Sequence, residues 1–191
     1  MRTHRCTSIL AAITALVAGW GLSQGTVARG MESGHSGGDV DGDFIEGMVP
    51  HHQGAVDMAR VELEKGTDER VRALAKSILD FQRDEIEEMT RIAEDRYGFS
   101  PDRSHSGPMG TLMGMRLTMD MSKMADMLAA EDDVDRAFLM MMLPHHAAAI
   151  PMAHEETRHG SDQELLAMAE SITGSQAKEI GEMQELLADF G

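Results

Sequence analysis

Apolar residues recur at steps of three and four in the first half of the chain, which is the period of an α-helix. One such stretch begins at Asp43 and stops at Gly66. A second follows Asp68, a residue type that caps helix N-termini, and ends before Gly98. Because a connection this short makes consecutive helices antiparallel neighbours, the pattern predicts a helical hairpin over residues 43–97.

The hairpin pattern occurs a second time, at an offset of 94 residues and without a gap. Residues 44–97 and 138–191 share 21 identities in 54 aligned positions. Two copies of a helical hairpin are typical of a pseudo-symmetric bundle. We therefore predict an all-α fold, a four-helix bundle over residues 43–191 whose second hairpin lies at 135–191.

A methionine-rich connection joins the two hairpins over residues 98–134. Gly and Pro mark a loop at 98–110, and a helix from about Leu112 to Ala130 is predicted to bridge or cover the bundle. Methionine at helical spacing is ordinary core, but here it falls on more than one face, and the spacing also resembles exported copper-handling sequences. The methionines are Met109, Met113, Met115, Met119, Met121, Met124 and Met127.

Both hairpins carry the pattern Met-x-Pro-His-His, at residues 48–52 and 142–146, followed at equal distance by another methionine. On a helix these side chains form a column, so two facing helices would bring both columns towards the pseudo-twofold axis. Thioether and imidazole favour Cu(I) and also accept Cu(II), whereas zinc and calcium prefer other donors. The predicted metal ligands are Met48, His51, His52, Met58, Met142, His145, His146 and Met152.

A purely structural interpretation of this motif stays open. A methionine stripe is usually core, and a histidine pair on a helix can be one buried and one exposed ring. Duplication also copies residues whether or not they have a function. Pro50 and Pro144 either kink their helices beside the histidines or mark the helix starts.

Polar residues interrupt the apolar stripe of the second helix in each hairpin. They are Gln82 and Glu85 in the first copy, and Gln176 and Glu179 in the second. A metal-bound histidine commonly donates its other ring N–H to such a group, which fixes the tautomer. The alternative is that these side chains flank the stripe in water.

The N-terminus has the pattern of a secretory signal peptide. Arg2 and Arg5 precede an apolar run too short to span a membrane, so we expect a signal peptide at 1–28 and a flexible linker at 29–42. The one cysteine, Cys6, lies within the signal. We therefore predict a secreted or extracytoplasmic protein that has no thiol and no membrane span after cleavage.

The formal charge of −16 disfavours nucleic acid as a partner and attracts cations. A di-metal oxidase would need Glu-x-x-His on two helices, but within the predicted helices only Glu156-x-x-His159 fits. We therefore predict a binding protein and not an enzyme, with a metal ion as its partner.

Residues 44–59 read FIEGMVPHHQGAVDMA and resemble the hallmark of domain-of-unknown-function family 305 (DUF305), and residues 138–146, FLMMMLPHH, resemble its second copy. The resemblance implies a ferritin-like helical fold and exported copper binding and tolerance, carried by the Met and His residues of the two motifs. Pro151 departs from the pattern, since the first copy has Asp57 there. The predicted function is an exported protein that sequesters or carries copper. The alternatives are a metal-free helical interaction module and, less favoured, a ferritin-like di-metal oxidoreductase.

Overall fold

The computed structural model describes residues 39–104 and 122–190, and of Ser122 the backbone alone. These residues form helices joined by short turns, without a strand in either range. The helices are α1 (Val40–Lys65), α2 (Glu69–Ile92), α3 (Ser122–Ala129), α4 (Val134–His159) and α5 (Gln163–Ala188), with a π-helical turn at Ala93–Tyr97 after α2. The all-α prediction is confirmed.

Several sequence predictions fall outside these ranges. The predicted signal peptide at 1–28, the linker up to residue 38, and methionines 109 to 121 lie outside the described residues. Within them, α1 begins at Val40 and so takes in the last three positions of the predicted linker. The last part of the predicted connecting helix is helical as α3.

The hairpin turns follow their local sequence signals in both copies. Asp68 accepts hydrogen bonds from the backbone N–H groups of Arg70 and Val71, and Asp162 caps α5 in the same way. Gly66 and Gly160 end α1 and α4, where their N–H groups bond to the carbonyls four residues earlier. These caps satisfy backbone groups that helix termini otherwise leave without partners.

Pro50 and Pro144 lie well inside their helices, because α1 begins at Val40 and α4 at Val134. The alternative that the prolines mark helix starts is therefore wrong. Each proline lacks an N–H, so one intrahelical hydrogen bond is missing immediately before each histidine pair.

Helices α1 and α4 lie against each other, and each also packs on the second helix of its own hairpin. Two core clusters show that they run antiparallel. The first cluster joins the C-terminal half of α1 to the N-terminal half of α4 and includes Met124 and Leu128 of α3. The second joins the N-terminal half of α1 to Ala149 and Ala153 in the C-terminal half of α4. The middle of both helices therefore meets at the pseudo-twofold axis.

None of the helices in the described ranges combines the length and the apolar character that crossing a membrane requires.

Candidate metal centre

The contact between α1 and α4 is centred on His51 and His145, which are equivalent residues of the two repeats. Their ring centroids lie 3.9 Å apart, with an angle of 38° between the planes. The His51 Nε2–H donates to the backbone carbonyl oxygen of His145 at 3.0 Å. Both rings are buried, with exposures of 1% and 3%. The repeat thus brings two imidazoles into contact inside the bundle.

The second histidine of each pair is turned towards the outer helix of its own hairpin. His52 Nε2 lies 2.9 Å from Glu85 Oε2, and His146 Nε2 lies 2.8 Å from Glu179 Oε2. The two carboxylates therefore accept the ring N–H at matched positions. This is the contact expected of residues that orient a histidine ligand, and it is made by two of the four polar residues that the sequence singled out.

Burial sets the charge of the central ring. Loss of solvation, together with the neighbouring rings of His52 and His146, lowers the pKa of His51 to about 3. His51 is therefore neutral at physiological pH. A neutral imidazole is the form that binds a metal ion.

The centre contains buried polar atoms that have no hydrogen-bond partner within residues 39–104 and 122–190. They are the Nδ1 atoms of His51, His52 and His146, both amide atoms of Gln82, and the amide oxygen of Gln176. Buried polar groups are normally satisfied, so these unpartnered atoms need an explanation. With Nε2–H donating to a carbonyl or carboxylate oxygen, each Nδ1 carries a lone pair that is open to a ligand.

The four predicted methionine ligands are divided between the two core clusters. Met58 and Met142 belong to the first cluster, and both are fully buried. Met48 belongs to the second, against which the partly buried Met152 packs. Each cluster therefore receives one such thioether from each repeat, on either side of the histidine rings.

Two further observations concern the ligating side chains of the centre and a groove beside it. No group of three or more histidine or acidic side chains in the described ranges is arranged to hold a metal ion. A groove of about 330 Å³ between α2 and α5, lined in part by Phe81 and Glu179, leads to the carboxylate that holds His146.

Two other histidines of the described ranges, His154 and His159, are exposed on α4. His105 lies outside the described residues. Four buried acids that the sequence pattern did not single out lie at the two ends of the α1–α4 contact: Asp41, Glu62, Asp135 and Glu156.

The missed acids had a sequence signal. Asp39-Val40-Asp41 and Asp133-Val134-Asp135 are also 94 residues apart, so the repeat extends five residues before the phenylalanine from which it was counted. Glu62 and Glu156 are another matched pair on the apolar face. Matched acids at buried positions indicate a polar contact between the repeats.

Comparisons with known proteins agree with this architecture. The model of the family described as "Domain of unknown function (DUF305)" matches residues 39–187. The solved structure of CopM in its Cu(II)-bound form is 32% identical with a TM-score of 0.66, and the match covers 79% of this chain and 97% of CopM. The Cu(I)-bound form of CopM is 30% identical with a TM-score of 0.66, over 78% of this chain and 96% of that one.

Two other relatives extend the comparison. A DUF305 protein from Streptomyces coelicolor is 27% identical with a TM-score of 0.70, over 81% of this chain and 95% of its own. The uncharacterized protein L153 of Acanthamoeba polyphaga mimivirus is 36% identical over 56 residues, which are 29% of this chain and 37% of that protein. Since the family model spans most of the sequence, this chain is a member of the DUF305 family.

Proposed function

We propose that this protein binds copper at the α1–α4 contact and sequesters or carries it outside the cytoplasm. The observation that carries the proposal is the set of buried imidazoles with unpartnered Nδ1 atoms, on His51, His52 and His146, with a thioether from each repeat in the core cluster on either side. The similarity to CopM, which was crystallised with Cu(I), Cu(II) and silver, supports copper as the metal.

The thioethers favour the reduced ion. Methionine sulfur is a soft, neutral ligand that suits Cu(I), while imidazole accepts both oxidation states. Met58 with Met142, and Met48 with Met152, would supply sulfur on either side of the rings. Cu(I) is therefore the preferred ion, and Cu(II) would rely more heavily on the histidines.

Glu85 and Glu179 serve as positioning residues in this proposal. Each accepts the Nε2–H of a buried histidine, so the proton is held on Nε2 and the Nδ1 lone pair faces away from the carboxylate. This fixes both the tautomer and the ring orientation before the metal arrives. The buried amides of Gln82 and Gln176 lie one helical turn earlier on the same faces.

Export is the second part of the proposal. The signal-peptide pattern at residues 1–28 directs the chain out of the cytoplasm. Methionine and histidine remain usable ligands in an oxidising compartment where thiolates are lost. We propose no catalytic activity, since the buried glutamates Glu62 and Glu156 lie at opposite ends of the α1–α4 contact and not together at the histidines.

The test is a Cu(I) titration of the purified mature protein under reductant, together with its melting curve. We expect tight binding and a higher melting temperature, because a ligand bound by the native state stabilises it, by about 2.7 kcal/mol at a hundred times Kd. A combined variant should lose both effects. It carries His51→Ala, His52→Ala, His145→Ala and His146→Ala.

The matched control is His154→Ala with His159→Ala, which removes two exposed imidazoles of the same helix. This control should bind Cu(I) like the wild type. Equal binding by the four-histidine variant would remove the histidines from the site. No binding by the wild type, with an unchanged melting curve, would favour the metal-free helical module.

A further inference from the structure

Each end of the α1–α4 contact holds a pair of buried acids, one from each repeat. Glu62 of α1 lies with Asp135 of α4 at one end, and Glu156 of α4 lies with Asp41 of α1 at the other. Both glutamates are fully buried, and the aspartates are 3% and 6% exposed. Two hydrogen-bonded carboxyl groups inside a core cannot both be ionised at low cost.

The aspartate of each pair is the ionised member. Asp135 accepts hydrogen bonds from Thr67 N, Thr67 Oγ1 and Asp68 N, at 2.9 to 3.0 Å. Together these donors outweigh burial and lower the pKa of Asp135. The aspartate of α4 thus holds the turn that follows α1.

Asp41 does the same at the other end. It accepts from Ser161 N and Oγ at 2.7 Å, from Asp162 N at 3.2 Å and from the Tyr97 hydroxyl at 3.0 Å. Burial opposes ionisation, but these donors lower the pKa of Asp41 to about 2. The aspartate of α1 thus holds the turn that follows α4, so each repeat accepts hydrogen bonds from the turn of the other.

The glutamate of each pair is the protonated member. No N–H or O–H donor from the described residues reaches either carboxyl oxygen of Glu62 or Glu156, so an ionised glutamate would be buried without compensation. A protonated glutamate instead donates to its aspartate. Burial, the hydrogen bond to the aspartate and the nearby negative charge raise the pKa of each glutamate to about 8.

The surrounding charges do not alter this assignment. Around Glu62 they are Asp135, Asp68 and the opposing Arg72, and around Glu156 they are Asp41, Asp162 and Asp39. Arg96 is engaged with Asp162 and Glu164 at the surface. Negative charge therefore predominates around both glutamates, which favours their neutral form.

A glycine makes room for each glutamate. A Cβ atom at Gly66 would overlap the Glu62 carboxyl group, and one at Gly160 would overlap that of Glu156. Neither glycine has a positive φ, so the backbone conformation does not demand glycine. The requirement comes from the carboxyl group that packs directly on the turn.

We propose that the two acids of each pair share one proton and that this proton stabilises the contact between α1 and α4 at that end. The bundle thus has two symmetry-related contacts that weaken at alkaline pH. This role of the acid pairs is independent of copper binding. It concerns the contact between the repeats and involves four buried acids that the metal centre does not use.

The sign of the pH dependence follows from the glutamates. Their folded pKa is above the ordinary value of 4.5, so their contribution is fully present below about pH 4.5 and is lost as the pH rises through about 8. The aspartates act in the opposite direction, but only in acid, through about pH 2 for Asp41. Between pH 7 and 9 both glutamates titrate in the folded protein, whereas in the unfolded chain they are already ionised.

The experiment is urea unfolding of the protein between about pH 7 and 9, with chelator present to keep metal out of the comparison. The slope of the unfolding free energy against pH should show about two protons taken up on folding near pH 7. The double variant Glu62→Gln with Glu156→Gln keeps an N–H donor for each aspartate, but the two new amides do not titrate. It should lose the slope and exceed the wild type in stability at pH 9.

The matched control is Glu64→Gln with Glu155→Gln, exposed glutamates on the same two helices. It should keep the wild-type slope. An equal slope in the buried-glutamate variant would overturn the proposal. If that variant does not fold, infrared spectra of the wild type provide the test. We expect a band of protonated carboxyl groups at pH 7 that disappears by pH 10. Absence of this band at pH 7 would reject the shared protons.

Discussion

The middle and the ends of the α1–α4 contact are all polar and buried, but their hydrogen bonding differs. At the ends, Asp41 and Asp135 collect donors from two turns, and each has a protonated glutamate beside it. In the middle, the Nδ1 atoms of His51, His52 and His146 and the amide oxygens of Gln82 and Gln176 have no hydrogen-bond partner among the described residues. Satisfied polar groups stabilise one arrangement, whereas unsatisfied ones are available to a ligand. The aspartates at the ends therefore have a structural role, and the middle is where we propose that copper binds.

The largest effect on stability is expected when an aspartate at one end of the contact is removed. Asp135→Ala leaves Thr67 N, Thr67 Oγ1 and Asp68 N without their acceptor, and we expect a loss of about 3 to 5 kcal/mol in the unfolding free energy. Urea unfolding at pH 6 measures it. Asp132→Ala, an exposed neighbour, is the control and should change stability by less than about 0.5 kcal/mol. A similar, small effect from both variants would contradict the structural role of the ends.

An intermediate effect is expected from the glycines. Gly66→Ala and Gly160→Ala push a methyl group into a buried carboxyl group, which should cost about 1 to 3 kcal/mol each. Gly174→Ala and Gly181→Ala in α5 meet no atom within 4 Å, and should instead stabilise by about 0.5 to 1 kcal/mol. Thermal melts of the four variants check the difference in sign. Stabilisation by all four would mean that the glutamates do not pack on the turns.

The smallest effect on folding is expected in the middle, where the change should appear in copper binding. Glu85→Gln and Glu179→Gln weaken the hold on the Nε2–H of His52 and His146, so we expect the Cu(I) dissociation constant to rise about 10- to 100-fold. Competition with a Cu(I) chelator measures this. Glu87→Gln, exposed on α2, should leave the constant unchanged. An unchanged constant in Glu85→Gln would remove the positioning role.

Much of the fold is predictable because its signals are local. The period of apolar residues, the caps Asp68 and Asp162, and the terminating glycines Gly66 and Gly160 lie next to the backbone groups that they serve. The duplication then supplies the hairpin pair. Boundaries were less exact, since α1 starts three residues before the expected position.

The candidate site was predictable in composition and not in arrangement. The repeated motif places two histidines and two methionines in each copy, and Glu85 and Glu179 beside them. Periodicity cannot say which ring of a pair meets its counterpart, because two adjacent residues on a helix point about 100° apart. The structure shows that His51 meets His145, whereas His52 and His146 turn to the glutamates.

The amino-acid order alone established that the chain forms two copies of one helical hairpin and that each copy carries the same soft-ligand set. Those properties depend on residues three to seven positions apart. The antiparallel contact of α1 with α4 brings together residues 94 apart. This tertiary contact determines how the ligands and the buried acids are arranged. It divides the thioethers between two clusters and pairs Glu62 with Asp135. A buried acid acquires its proton from the charges and donors that tertiary packing places around it, which no local pattern contains.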